Sequence, residues 1–188
     1  MTGDHAQAIG AGRMVVCSGD VCEPATWWDG EPFQAVVLDV PCSASGLLRT
    51  KPEVKFHQDQ DSVGALQAVQ LRMLRTLWPM IRPGGELLYT TCSILAAENE
   101  DVIRAFLADQ GNEATATKLA APLAQDAAGA GSIAARACSP AGLVFYPSQS
   151  HQGGFVALLR KGQPSHRAQR RPDVATPRLR AQSSRKRK

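Results

Sequence analysis

The chain is predicted to be an α/β protein of the doubly wound kind that ends in a β-hairpin, and three observations carry that expectation. Two short apolar runs, Ala35-Val36-Val37-Leu38 and Glu86-Leu87-Leu88-Tyr89-Thr90, read as strands, and each stops abruptly at a polar stretch containing a cysteine. Between them Val63, Leu66, Met73, Leu74, Leu77 and Ile81 recur at helical spacing, with Gln67, Arg72, Arg75 and Thr76 largely on the other side. Near the end, Leu143 to Tyr146 and Gly154 to Leu159 are apolar runs separated by a polar turn, which is the pattern of a hairpin.

Taken in order, the first expected strand is Met14-Val15-Val16-Cys17, which empties into Ser18-Gly19-Asp20. Val21 to Phe33 carries Pro24, Trp27, Trp28, Gly30 and Pro32 and reads as an irregular crossover with one helical turn. The second strand, Ala35 to Asp39, runs into Pro41 and Cys42. The loop from Ser43 to Phe56 brings Arg49, Lys51 and Lys55 near that thiol, and Pro52 keeps it from being one continuous helix. The helix of Ser62 to Ile81 is expected to end at Arg82-Pro83-Gly84-Gly85, a turn into the third strand, which ends at Thr91-Cys92-Ser93. Glu98, Glu100 and Asp101 then stand before Val102, Ile103, Phe106 and Leu107, as acids in a first helical turn, and Gly111 closes that helix. Asn112 to Gly142, rich in Ala and Gly, carries no assignable pattern.

With 188 residues, 44% of them hydrophobic and 20% charged, the chain is sized for one core. No apolar run approaches the ~20 residues that span a bilayer, and Met1 to Gly12 lacks the pattern of a signal peptide, so the expected location is the cytoplasm. The charge is unevenly placed: Met1 to Lys161 holds 12 Lys and Arg against 16 Asp and Glu, whereas Gly162 to Lys188 holds 9 against 1. The two expected regions are therefore a domain over residues 1–161 and a basic, disordered tail over 162–188. Such a tail offers nucleic-acid phosphates a sequence-independent, salt-sensitive attraction, or else is simply solvated.

Five cysteines, Cys17, Cys22, Cys42, Cys92 and Cys138, are scattered without the paired spacing of zinc sites, and free thiols are the expected state. Cys17, Cys22 and Cys138 read as small apolar filler. Cys42 and Cys92 leave two strands in the same way. If those strands are parallel neighbours, both thiols lie over the carboxyl edge of one sheet, where open α/β folds bind ligands. A thiolate there can act as a nucleophile once nearby cations lower its pKa, and Arg49, Lys51 and Lys55 are candidates for that influence. The pattern by itself leaves the reaction open.

Asp39-Val40-Pro41-Cys42-Ser43-Ala44-Ser45-Gly46 and Thr91-Cys92-Ser93 resemble the two signature motifs of the RsmB/NOP-type RNA cytosine-5 methyltransferases, the Sun-like bacterial ribosomal RNA enzymes in particular. Ser18-Gly19-Asp20, Gly46-Leu47-Leu48-Arg49 with Pro52, Leu77-Trp78-Pro79, Arg82-Pro83-Gly84-Gly85, Glu98-Asn99-Glu100 and Gly153-Gly154-Phe155 follow in the family's order, so the likeness covers Met14 to Lys161. The resemblance implies a Rossmann-like methyltransferase sheet with helices on both faces. It implies that Cys92 adds to carbon 6 of an RNA cytosine, that carbon 5 then takes the methyl group of S-adenosylmethionine, and that Cys42 assists the elimination that frees the product. It further implies that Asp39 lies near the cofactor's methionine end and the base, and that Asp20 accepts a hydrogen bond from the adenine amino group. A turn aspartate is the plainer reading of Asp20. The target base has to be unstacked or single-stranded to meet a thiol.

Relative to that family, the chain lacks the glycine-rich cofactor loop and the ribose-binding acid expected upstream of Met14. Gly10-Ala11-Gly12 precedes a strand where a fingerprint must follow one. The expected sheet is therefore short of its first βαβ unit, the reading frame is expected to be truncated or split or its start wrongly placed, and an upstream polypeptide is one candidate source of the missing loop. The edge at Met14-Val15-Val16 is then an aggregation hazard. A catalytically dead remnant that adheres to RNA is the alternative to an active enzyme. A thiol hydrolase ranks last, because His57 and His151 sit in no hydrolase motif.

Overall fold

The computed structural model describes residues 16–56, 59–119, 135–138, 141–148 and 151–163. Among them six strands form one sheet, Phe33–Asp39 (β1), Ile81–Thr91 (β2), Ala114–Thr117 (β3), Ala135–Cys138 (β4), Gly142–Phe145 (β5) and Gly154–Lys161 (β6). The order is β1-β2-β6-β5-β4, with β3 also pairing to β6. β1 and β2 are parallel, with Asp39 opposite Thr90, as two strands that end in the same way require. β6 runs antiparallel to β2, and its other side is shared, Gly154 to Val156 pairing with β5 and Leu158 to Lys161 with β3. The expected hairpin is thus present, built into the sheet beside β2.

Two α-helices accompany it, Gln60–Leu77 (α1) and Glu100–Gln110 (α2). α1 starts in a capping box, in which Asp59 Oδ1 accepts from Ser62 N (2.8 Å) and Ser62 Oγ accepts from Asp59 N (2.9 Å). The bond from Ser62 N, with the Ser62 side chain second, holds the Asp59 pKa below its ordinary value. α1 ends sooner than its periodicity predicts, because Pro79 forces a 3₁₀ turn over Trp78–Met80 and Ile81 already belongs to β2. Lys161 Nζ ties this junction down by donating to Trp78 O (2.9 Å) and Ile81 O (2.8 Å). Arg82-Pro83-Gly84-Gly85 likewise lies inside β2. It is a bulge: Phe33 pairs with Ile81 and Ala35 with Glu86, and Gly84 takes φ 76° to absorb the extra residues.

The core lies between one sheet face and the helices. Val36, Leu38, Leu87, Tyr89, Ala157 and Leu159 line that face, against Leu74 and Leu77 of α1 and Val102, Ile103 and Phe106 of α2. Phe106 meets Trp78 edge-on at 5.2 Å. Both described helices share this face, so helices on both faces are met only there; on the other, Val37 is 71% exposed and Leu88 and Leu158 are half-buried. None of the described helices is long and apolar enough to cross a membrane.

The described part of the expected first strand differs from the reading. Val16 and Cys17 are exposed and in no strand, Met14 and Val15 lying outside the described residues. β1 stands at the end of the described strand order, so no further strand offers this segment a ladder. The exposed Cys17 and half-buried Cys22 are not core filler. The crossover's helical turn is present as Pro24–Thr26. Two strands, β3 and β4, occupy the stretch from Asn112 to Gly142 that lacked a pattern. Most of the basic tail, residues 164–188, lies outside the described residues.

Phe106 is fully buried under Trp78, so Phe106→Ala removes a ring the core cannot refill. The expected loss is ~3–5 kcal/mol of unfolding free energy, read from a urea titration followed by circular dichroism.

Candidate active site

β1 and β2 deliver their last residues to one edge, and the two connections that follow are bonded to each other from their first turns. After Asp39, Val40 N still donates to Thr90 O (3.2 Å), and Pro41 O accepts from Gln70 Nε2 of α1 (2.9 Å). Cys42 and Cys92 then face each other with Sγ to Sγ 3.1 Å, so one thiol hydrogen serves both sulfurs. Ala44 turns the chain with φ 58°, a left-handed conformation that a side chain disfavours. The turn allows Gly46 N to donate to Cys92 O (2.9 Å), while Gly46 O accepts from Gly153 N (2.8 Å). A Cβ on Gly46 would stand 2.3 Å from Gly153 O and 2.7 Å from Cys92 O. Only glycine lets these three loops close on one another.

Beneath the thiols lies a buried polar cluster. Glu98 is 0% exposed. Its Oε1 accepts from Ser43 N (2.7 Å) and Gln70 Nε2 (3.2 Å), and its Oε2 from Ser43 Oγ (2.5 Å) and Ser93 Oγ (2.6 Å). Ser45 Oγ lies 2.9 Å from Ser93 Oγ and accepts from Ile94 N (3.0 Å). Thr91 Oγ1 donates to Asn99 Oδ1 (2.7 Å), whose Nδ2 donates to Ser93 O (2.9 Å). Tyr89 OH donates to Glu98 O (2.7 Å), and burial raises its pKa. The residue after each cysteine is therefore a serine held on one carboxylate. Sequence reading placed Glu98 among the acids of a first helical turn; it lies in the 3₁₀ turn Ala96–Glu98 ahead of α2 and turns inward. The signal available was the pair of serines following the two cysteines, donors that need a shared acceptor once buried.

Cys42 is pushed up to about 12, first by burial and then by the neighbouring Cys92. No cation is among the causes, so Arg49, Lys51 and Lys55 do not lower this thiol as expected; all three are exposed. Pro52 opens a 3₁₀ turn over Pro52–Phe56, where Lys55 Nζ sits 4.7 Å over the Phe56 ring. Asp39 is exposed at the end of β1, on the same sheet face as Val37. Asp20 belongs to a turn: its Oδ1 accepts from Cys22 N (2.8 Å), and its carbonyl accepts from Glu23 N (2.9 Å) and Trp27 Nε1 (2.9 Å). The structure thus brings Cys42 and Cys92 together three residues beyond Asp39, and places Asp20 in the crossover before β1. His151 is engaged with Ser148 at 2.9 Å, and His57 lies outside the described residues.

The family model for the 16S rRNA methyltransferase RsmB/F matches residues 3–160. The chain belongs to the RsmB/F methyltransferase family. Ribosomal RNA small subunit methyltransferase B of Xanthomonas campestris pv. campestris is 50% identical over 145 residues, covering 76% of this chain and 30% of that protein. The protein of the same name from Xylella fastidiosa strain Temecula1 is 48% identical over 93 residues, covering 50% and 22%. The crystal structure of NSun6 from Pyrococcus horikoshii with SFG has a TM-score of 0.63 at 20% identity, covering 86% of this chain and 38% of that one, and shares the fold. This RsmB/F chain spans about a third or less of the length of these curated relatives.

A methyl donor implied by the RsmB/F family needs a backbone cradle as well as acids. Asp39 is exposed at the sheet edge and Asp20 is engaged in its own turn, while Gly46, the glycine of the β1 to α1 connection, is packed against Cys92 and Gly153. The described residues do not form a complete site for it.

Two outcomes follow from this geometry. Gly46→Ala must push the Cys92 loop away and is expected to cost ~1–3 kcal/mol in a urea titration. At pH 8, Cys42 is expected to react with iodoacetamide about a hundredfold more slowly than exposed Cys17, by peptide mass spectrometry, because little of it is thiolate. Its rate keeps climbing to about pH 12. The folded chain holds this proton more tightly than the unfolded one, so the same shift removes stability as pH rises above the ordinary 9.0.

Proposed function

We propose that the chain carries the base-side chemistry of an S-adenosylmethionine-dependent RNA cytosine-5 methyltransferase acting on ribosomal RNA in the cytoplasm. The observation that carries the reading is the pair of thiols 3.1 Å apart on loops leaving adjacent parallel strands. The names of the curated relatives support the substrate class, and the motifs support cytosine.

Carbon 5 of cytosine is a weak nucleophile, and addition of a thiolate to carbon 6 makes it an enamine carbon. Cys92 is that nucleophile: its sulfur bonds carbon 6, and carbon 5 becomes nucleophilic. S-adenosylmethionine supplies the methyl group. Loss of the carbon 5 proton then lets the carbon 6 to sulfur bond break, which returns Cys92 and frees the base. Cys42 serves this last stage. While Cys92 is free, its proximity helps keep the Cys42 proton in place. Once the Cys92 sulfur is bonded to carbon, that cause is gone while burial and the backbone hydrogen bonds remain, so more of Cys42 is thiolate when a proton has to be taken.

Asp39 and Asp20 are the acids that would hold S-adenosylmethionine, Asp39 near its methionine end and the base, and Asp20 at the adenine once its carboxylate is released from Cys22 N. The exposed Arg49, Lys51 and Lys55 and the basic stretch 162–188 draw in RNA phosphates.

The test is a denaturing gel of the folded chain incubated with RNA containing 5-azacytidine, whose ring is attacked at carbon 6 without a methyl donor. A covalent band is expected from the unaltered chain and from Cys42→Ala, and none from Cys92→Ala. Retention of RNA without any band from a folded chain favours the alternative, an RNA-binding remnant without catalysis.

A further inference from the structure

We infer that Glu98 is the positioning residue of the thiol pair, holding Cys42 and Cys92 at reacting distance through the serine that follows each. The inference rests on the reading of those thiols as partners in one reaction, and adds to it a residue that touches neither sulfur.

Each loop reaches the carboxylate independently. Ser43 donates through both its backbone N and its hydroxyl, which fixes the residue after Cys42 at two points. Ser93 donates its hydroxyl to the same oxygen that takes the Ser43 hydroxyl. Two donors converging on one Oε2 set the separation of the loops, and the sulfurs one residue back inherit it. Gln70 Nε2 bridges the other oxygen to Pro41 O, so α1 holds the Cys42 loop by the same acceptor. Nothing in the cluster is exposed: Ser43, Ser93, Gln70 and Glu98 are all buried. A buried acceptor with four donors cannot be replaced by water. A carbon chain in its place would strand the two hydroxyls and a backbone N–H and leave the loops to their own preferences, which the left-handed Ala44 shows are not the native ones.

The distance between the sulfurs can be read without RNA or cofactor. Diamide takes two electrons and two protons from a pair of thiols, becoming the hydrazide while the sulfurs join, and the rate of the Cys42–Cys92 link reports how often they stand within bonding reach. Glu98→Gln keeps the volume but replaces one oxygen by an NH₂ group, which cannot accept the two hydroxyl hydrogens. It is expected to slow formation of that link, followed by peptide mass spectrometry, by about tenfold or more at unchanged far-UV circular dichroism. Phe106→Leu loosens the core away from the loops and is expected to leave the rate unaltered, which separates positioning from general destabilisation.

A wild-type rate in Glu98→Gln overturns the assignment. So does loss of the native spectrum in that variant, since the carboxylate then holds the fold and not the sulfurs, and so does an equal slowing in Phe106→Leu. Because the link forms without substrate, a slower link in Glu98→Gln supports the assignment even where 5-azacytidine RNA yields no band, a result that bears on the proposed function alone.

Discussion

The register of the β1–β2 pair is the constraint on which the rest depends. Parallel pairing with Asp39 opposite Thr90 makes both strands expire at one edge within a residue of each other, and the two cysteines, three and two residues further on, meet there. A slip of one residue would turn every β1 side chain to the opposite face, exposing Leu38 and burying Asp39. The core and the thiol pair are therefore specified by the same pairing. β6 holds that register from the other side, since its antiparallel ladder to β2 continues to Thr91 opposite Phe155.

Under the thiols the protein places a carboxyl group where its core would otherwise be apolar. Burying a carboxyl is costly unless every lone pair finds a donor, and here four donors from α1 and both cysteine loops supply them. The arrangement contributes less to net stability than to uniqueness of shape: an apolar side chain would tolerate several loop conformations, whereas short hydrogen bonds to fixed oxygens tolerate one. The sulfurs above are only half-buried, so rigidity below is combined with access from solvent.

Much of this was legible in the sequence. β1, α1, the final hairpin and the shared sheet edge of the two thiols follow from apolar periodicity and from the repeated ending of a strand on a cysteine, both of which are local signals. What local reading missed has long-range causes. Ile81 and Pro83 look like the end of a helix and a turn, but β1 offers them a ladder and a bulge, so they join β2. Glu98 looks like a first-turn acid because its donors lie 5, 28 and 55 residues away in the chain. Val15-Val16 looks like a strand by composition, yet a strand is defined by its neighbour, and for Val16 and Cys17 there is none among the described residues. β3 escaped notice because four alternating Ala and Thr residues carry almost no hydrophobic signal; β6 recruits them.

The tight meeting of Gly46 with Cys92 O and Gly153 N also fixes when the site can form. Its contacts join segments separated by 46 and 107 residues, and closing such loops is entropically unfavourable until the intervening sheet exists. The turn at Ala44 has no preference of its own for the left-handed shape it adopts, so it cannot serve as a seed. The sulfurs therefore depend on the sheet for their meeting and not on the local preference of either loop. A nascent polypeptide emerging from the ribosome would carry two separated thiols, and a Cys42 not yet silenced by burial, until Gly153 has followed.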